Sequence, residues 1–156
     1  MRRAKPERRE ILPDIRYNNV TIQTMIHHML HRGKKSTATN VMYDSLEIIR
    51  ERNGGKDPVE VFDAALKNVA PAMEVRPRRV GGATYQVPMQ VNSKRQLSLA
   101  IRWIREASRA VKGKAMAECL ANELMAAYRG EGAAMTTREN VHRMAEANKA
   151  FAHFAW

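Results

Sequence analysis

Between Met73 and Val91 the apolar residues stop recurring every three or four positions and begin to alternate. From Val20 onward the rest of the chain keeps helical spacing, so this one switch limits the fold to a helical body carrying a two-stranded ribbon. Met73, Val75, Tyr85, Val87, Met89 and Val91 occupy odd positions, and most even ones are polar, as in a half-buried hairpin. Gly81-Gly82 supplies the positive φ of a tight turn. Pro77 and Pro88 lack an N–H and suit only edge strands. The ribbon, at about residues 73–91, should therefore project rather than join a larger sheet.

The helical stretches can be bounded from their own signals. Ile22, Met25, Ile26, Met29 and Leu30 form the first stripe, with Asn18 or Asn19 to cap it and Gly33 to end it. A second helix turns Val41, Met42, Leu46 and Ile49 inward and stops at Asn53-Gly54-Gly55. Asp57-Pro58-Val59-Glu60 is a capping-box start for a third, which buries Val61, Phe62, Ala65, Leu66 and Val69. A fourth should run from Asn92 or Ser93 to about Lys112, and a fifth from Lys114 to Tyr128. Thr136 with Glu139 reads as a capping box for the last helix. Residues 1–19 read as an extended basic arm, because Pro6 and Pro13 interrupt any helix there, and residues 20–156 as one domain.

Charge sets the partner. Lys and Arg number 27 against 16 Asp and Glu, a formal net charge of +11. Self-repulsion on that scale calls for an anionic partner. The single cysteine, Cys119, fits a reducing cytoplasm and reads as a small core residue. No apolar run approaches the roughly 20 residues of a bilayer span, so no membrane partner is expected.

The cations are not spread evenly. On the fourth helix, Leu97, Ala100, Ile101, Ile104, Ala107, Ser108 and Val111 share one face, while Arg95, Arg102, Arg105, Arg109 and Lys112 share the other. A solvated face normally mixes signs, yet here Glu106 stands nearly alone. Arg76, Arg78 and Arg79 enter the hairpin turn, Lys94 and Arg95 follow the return strand, and Tyr85 sits beside the glycines. Arginine forks grip phosphate, and an aromatic ring stacks on an unpaired base. Deleting Gly81 to Tyr85 should spare the fold, since the tip lies outside the core pattern.

Other motifs exclude more than they assign. Gly33-Lys34-Lys35-Ser36 lacks the upstream glycine and preceding strand of a nucleotide-binding P-loop, but its lysines and helix-start N–H groups suit a nucleic-acid phosphate. His27 and His31, one turn apart, lack a third ligand at familiar spacing, so with His28 they read as surface histidines near RNA. No catalytic elbow, metal-binding histidine pair or dinucleotide fingerprint occurs. No enzyme activity, cofactor or metal is expected. An RNA-binding structural protein is the leading reading, and an architectural DNA-binding protein is the alternative.

Three segments then resemble one family closely. They are Gly33-Lys34-Lys35-Ser36-Thr37-Ala38, the stretch from Arg78 to Pro88, and the stretch from Arg138 to Phe154, with Ile11-Leu12-Pro13-Asp14 and Ala121-Asn122-Glu123-Leu124 in support. Together they resemble bacterial small-subunit ribosomal protein seven over nearly the whole chain. The histidine cluster between Val20 and Arg32 departs from the family pattern. The resemblance implies a mainly α, six-helix bundle-like fold with a protruding hairpin. It implies that the protein binds the 3′ major domain of small-subunit (16S) rRNA, nucleates head assembly and lies at the mRNA exit channel beside exit-site tRNA and ribosomal protein eleven. RNA contact is implied at Arg2, Arg3, Lys5, Arg8 and Arg9 of the arm, and at Lys34, Lys35 and Ser36 of the first loop. At the hairpin it is implied for Arg76, Arg78, Arg79, Lys94 and Arg95, and on the helices for Arg102, Arg105, Arg109, Lys112, Lys114, Arg138, Arg143 and Lys149. The exit-channel residues would be Arg79, Val80, Gly81, Gly82, Ala83, Thr84 and Tyr85, with Arg143 and Lys149.

Overall fold

The computed structural model describes residues 9–154. Arg2, Arg3, Lys5 and Arg8 of the expected arm lie outside them. The described elements are α1 (Val20–Met29), α2 (Lys35–Arg52), α3 (Pro58–Val69), β1 (Met73–Val80), β2 (Ala83–Gln90), α4 (Ser93–Ala110), α5 (Met116–Tyr128), α6 (Ala133–Ala147) and a C-terminal 3₁₀ segment (Lys149–Phe154). The mainly helical architecture with one hairpin agrees with the periodicity.

The core is built from the predicted stripes. Ile22, Met25 and Ile26 of α1, Met42, Leu46 and Ile49 of α2, Phe62 and Ala65 of α3, and Ala100, Ile101 and Ile104 of α4 are fully buried. Helix α5 packs against α2, α3, α4 and α6, which is why Leu120, Ala121 and Leu124 are buried with Cys119. Each fully buried large side chain contributes about 1.5–3 kcal/mol by leaving water.

Helix ends differ from expectation in three places. Helix α1 is capped by Asn19, whose Oδ1 accepts from Thr21 N at 2.7 Å, and it stops at Met29, before Gly33. Helix α4 ends at Ala110, so Val111 lies past the helix and is 49% exposed instead of in the core. Helix α6 begins at Ala133, so Thr136 is not its cap and instead donates its hydroxyl to Gly132 O at 3.1 Å. The cap comes from α5: Glu123 Oε1 accepts from Ala134 N at 2.8 Å. Gly132, at φ 101°, is required there, since a Cβ would meet Glu123 Oε1 at 2.9 Å.

The stretch before α1 is tied down from Asp14. That carboxylate is 3% exposed and accepts from Arg16 N at 3.0 Å, Tyr17 N at 3.1 Å and Tyr43 Oη at 2.7 Å. Arg16 lies over the Tyr17 and Tyr43 rings, at 5.7 and 5.4 Å from their centroids, and pairs with Glu47 at 3.9 Å.

The hairpin register places Val80 opposite Ala83 around the Gly81-Gly82 turn. With φ of 57° and 88°, both central residues sit in the left-handed region, as in a type I′ turn, whose twist matches the strands. The sheet has two strands, so neither proline interrupts an inner ladder.

Candidate nucleic-acid interface

The ribbon root is not a half-exposed surface. It packs against α6 and the C-terminal segment, and the N–H of Ala72 donates to His142 Nε2 at 3.1 Å. Glu74, which the alternation puts on the outer face, is 7% exposed. Its carboxylate receives Arg76 Nε at 2.5 Å and Arg95 Nε at 3.0 Å. Both arginine side chains stay about half open to solvent, at 50% and 42%. The Asn92 side chain caps α4 by accepting from Arg95 N at 2.9 Å. Lys94 beside it is exposed.

The tip residues Arg79, Gly81, Gly82, Ala83 and Thr84 are exposed, while Arg78 and Val80 are partly covered. Tyr85 is not a free stacking platform. Its ring packs against Phe151 and Phe154, with centroids at 5.1 and 5.3 Å. The deletable tip therefore shrinks to the residues before Tyr85, because removing that ring would strip the C-terminal segment of its support. Lys149 opens that segment, and Lys149 and Arg143 on α6 are both exposed.

The second basic surface forms where α4 passes the end of α1. Arg105 Nη1 donates to His28 O and Arg109 Nη2 to Met29 O, each at 3.2 Å. Carbonyls in the last turn of a helix lack intrahelical partners, and cations stabilise that end. The arginine stripe thus fastens the end of α1 to α4. Arg105 is the most covered of the set, its side chain 23% exposed, while Arg102 is open. Lys34, Lys35 and Ser36 are exposed at the start of α2, where Lys34 makes no side-chain cap bond. Lys34 and Arg109 line one cleft of about 270 Å³ with His31 and Met116. Lys112 and Lys114 are exposed between α4 and α5, and Lys114 reaches Glu118 at 3.5 Å. Arg138 sits apart, its Nη1 donating to Asn68 O at 2.6 Å across α3 and α6.

The histidines do not act as a set. His27 bonds Gln23 at 2.9 Å, and His31 lies beyond the end of α1. Burial foremost, then the charges of Arg105 and Arg102 with a contribution from His27, holds the His28 imidazole below its ordinary pKa. Four features escape the sequence pattern: Glu74, Asp14, His142 and the Phe151–Phe154 pair. A lone acid among four nearby arginines was the available signal for Glu74. His142 and the Phe151–Phe154 pair depend on contacts between residues distant in sequence, and Asp14 combines two local backbone bonds with a distant one to Tyr43.

Cations gathered on a loop, a helix face and a ribbon, over a mostly apolar interior, suit a structural protein that lies against a polyanion. A family model described as ribosomal protein S7p/S5e matches residues 1–149. The chain is 54% identical to the small ribosomal subunit protein uS7 of Thermotoga neapolitana over 156 residues, all of both chains. It is 55% identical to the protein of that name from Rhodopirellula baltica over 157 residues, again all of each. The chain belongs to the S7p/S5e ribosomal protein family and is a structural, non-enzymatic protein of the small ribosomal subunit. Among the described residues no helix is long and apolar enough to cross a membrane.

Proposed function

We propose that this protein is a primary binder of the 3′ major domain of small-subunit rRNA in the cytoplasmic ribosome, and that it nucleates assembly of the subunit head. The observation that carries this is the junction of α4 with the Lys34 loop. Arg105 and Arg109 bond the final carbonyls of α1, and Arg109 lines one cleft with Lys34, which brings the loop and the helix face into one cationic surface. Arg102, Lys34, Lys35, Lys112 and Lys114 extend it in the open. Arginines already bonded in place lose little side-chain freedom on docking, and each phosphate the surface neutralises releases counterions. Ribbon and helices add shape recognition, which suits A-form and folded RNA.

The ribbon tip, Arg79 to Tyr85, with Arg143 and Lys149, forms the second RNA-facing surface. It would face exit-site tRNA and outgoing mRNA, with ribosomal protein eleven as the neighbour across the channel. The direct test is competition in filter binding. A 3′-domain rRNA fragment should displace the protein from duplex DNA at equal nucleotide concentration. Equal competition would favour an architectural DNA-binding role instead.

A further inference from the structure

A carboxylate on an RNA-facing surface should weaken binding by repelling phosphate. Glu74 sits at the hairpin root between two arginines assigned to that surface, and its burial changes what it does. Being 7% exposed, it must be compensated, since an unpaired buried carboxylate is costly. Compensation comes from two elements: Arg76 on the same strand, at 2.5 Å from Nε to Oε1, and Arg95 in the first turn of α4, at 3.0 and 3.2 Å from Nε to the two oxygens. The Arg95 bonds leave through Nε. Its forked terminal nitrogens are the groups that grip phosphate bidentately. Arg95 is thus held through Nε, whereas Arg76 also pairs its terminal Nη2 with Glu74 Oε1 and is held along its Nε–Nη2 edge; both side chains stay about half exposed, at 50% for Arg76 and 42% for Arg95. One negative charge facing two positive ones also leaves the cluster net cationic.

We propose that Glu74 is a positioning residue for RNA binding, holding Arg76 and Arg95 in the pose that meets phosphate, so that removing its negative charge weakens binding. This rests on the RNA-binding reading above. Arg105–Glu106 is the contrasting pair: their bond is 3.1 Å, but the Glu106 side chain is 56% exposed, so Glu106 positions little.

The test compares Glu74→Gln, Glu106→Gln and Arg95→Lys with the wild-type chain, titrated against a 3′-domain rRNA fragment across a salt series. Circular dichroism checks that each variant is folded. Both glutamine variants gain the same charge, so electrostatics alone predicts slightly tighter binding for each. Positioning predicts that they diverge. Glu106→Gln should bind at least as well as wild type. Glu74→Gln should bind about 2- to 10-fold more weakly for each arginine that must be ordered anew. Its salt slope should flatten by about one for every phosphate that is no longer neutralised. Arg95→Lys keeps the charge and loses the fork, so it should also bind severalfold more weakly; it decides the matter if Glu74→Gln does not fold. Equal or tighter binding by a folded Glu74→Gln, or unchanged binding by Arg95→Lys in its place, overturns the proposal and leaves the RNA reading standing. Failure of the wild-type chain to bind the fragment removes both.

Discussion

Replacing Asp14 with Ala should release the segment that carries the basic arm. The side chain is 3% exposed and accepts from Arg16 N, Tyr17 N and Tyr43 Oη at 3.0, 3.1 and 2.7 Å. Hydrogen bonds to a charged group count about 1.5–3 kcal/mol each, but the two backbone donors lie near the surface and recover water, so the expected loss is about 2–4 kcal/mol. Tyr43→Phe removes one bond and should lose about 1 kcal/mol. The double variant should lose less than the sum, because both substitutions remove the same Tyr43–Asp14 bond. Urea unfolding followed by circular dichroism reads the stability. Trypsin cleavage after Arg16 reads the local release and should speed up in the Asp14 variant. A change within about 0.5 kcal/mol, the level of an ordinary surface substitution, with unaltered cleavage at Arg16, would refute the anchor.

Replacing Arg95, Arg102 and Arg109 together with Gln should weaken rRNA binding and flatten its salt slope, by roughly one for each phosphate these side chains neutralise, as read by filter binding. Gly82→Ala should destabilise the ribbon by about 1–2 kcal/mol through backbone strain alone, since nothing lies within 4 Å of a Cβ at φ 88°; thermal melts would show it. The native pKa of His28 lies below its unfolded value of 6.5, so the unfolded chain takes up that proton first as pH falls. Stability should therefore decline as pH drops below 6.5 and level off once the native imidazole also titrates, and His28→Gln should remove that decline in urea midpoints. Phe151→Ala with Phe154→Ala should free the C-terminal segment from Tyr85 and quicken proteolysis there, while the helical melt stays near wild type.

Much of the fold was legible because burial writes periodicity into sequence. The stripes through Ile22, Phe62 and Ile101 each needed one apolar face, and the break at Met73 needed alternation. Helix ends were less legible where the cap came from elsewhere. Glu123, eleven residues before Ala134, satisfies the start of α6, so the local Thr136–Glu139 signature went unused. The same limit applies at the interface. Charge marked Arg95 and Arg109 as a cationic face. It could not show that Arg109 also holds a carbonyl eighty residues away, nor that Glu74 turns inward between two arginines. Tyr85 looked free because its partners, Phe151 and Phe154, are joined to it only by tertiary packing.

The central claim is that the open cations of the Lys34 loop, α4 and the ribbon lie against RNA. Chemical modification of lysines in the assembled small subunit and in the isolated chain, read residue by residue by mass spectrometry, tests it most directly. Lys34, Lys35, Lys94, Lys112 and Lys149, all exposed in the free protein, should become protected on assembly. Equal reactivity of those lysines in both states would contradict the claim.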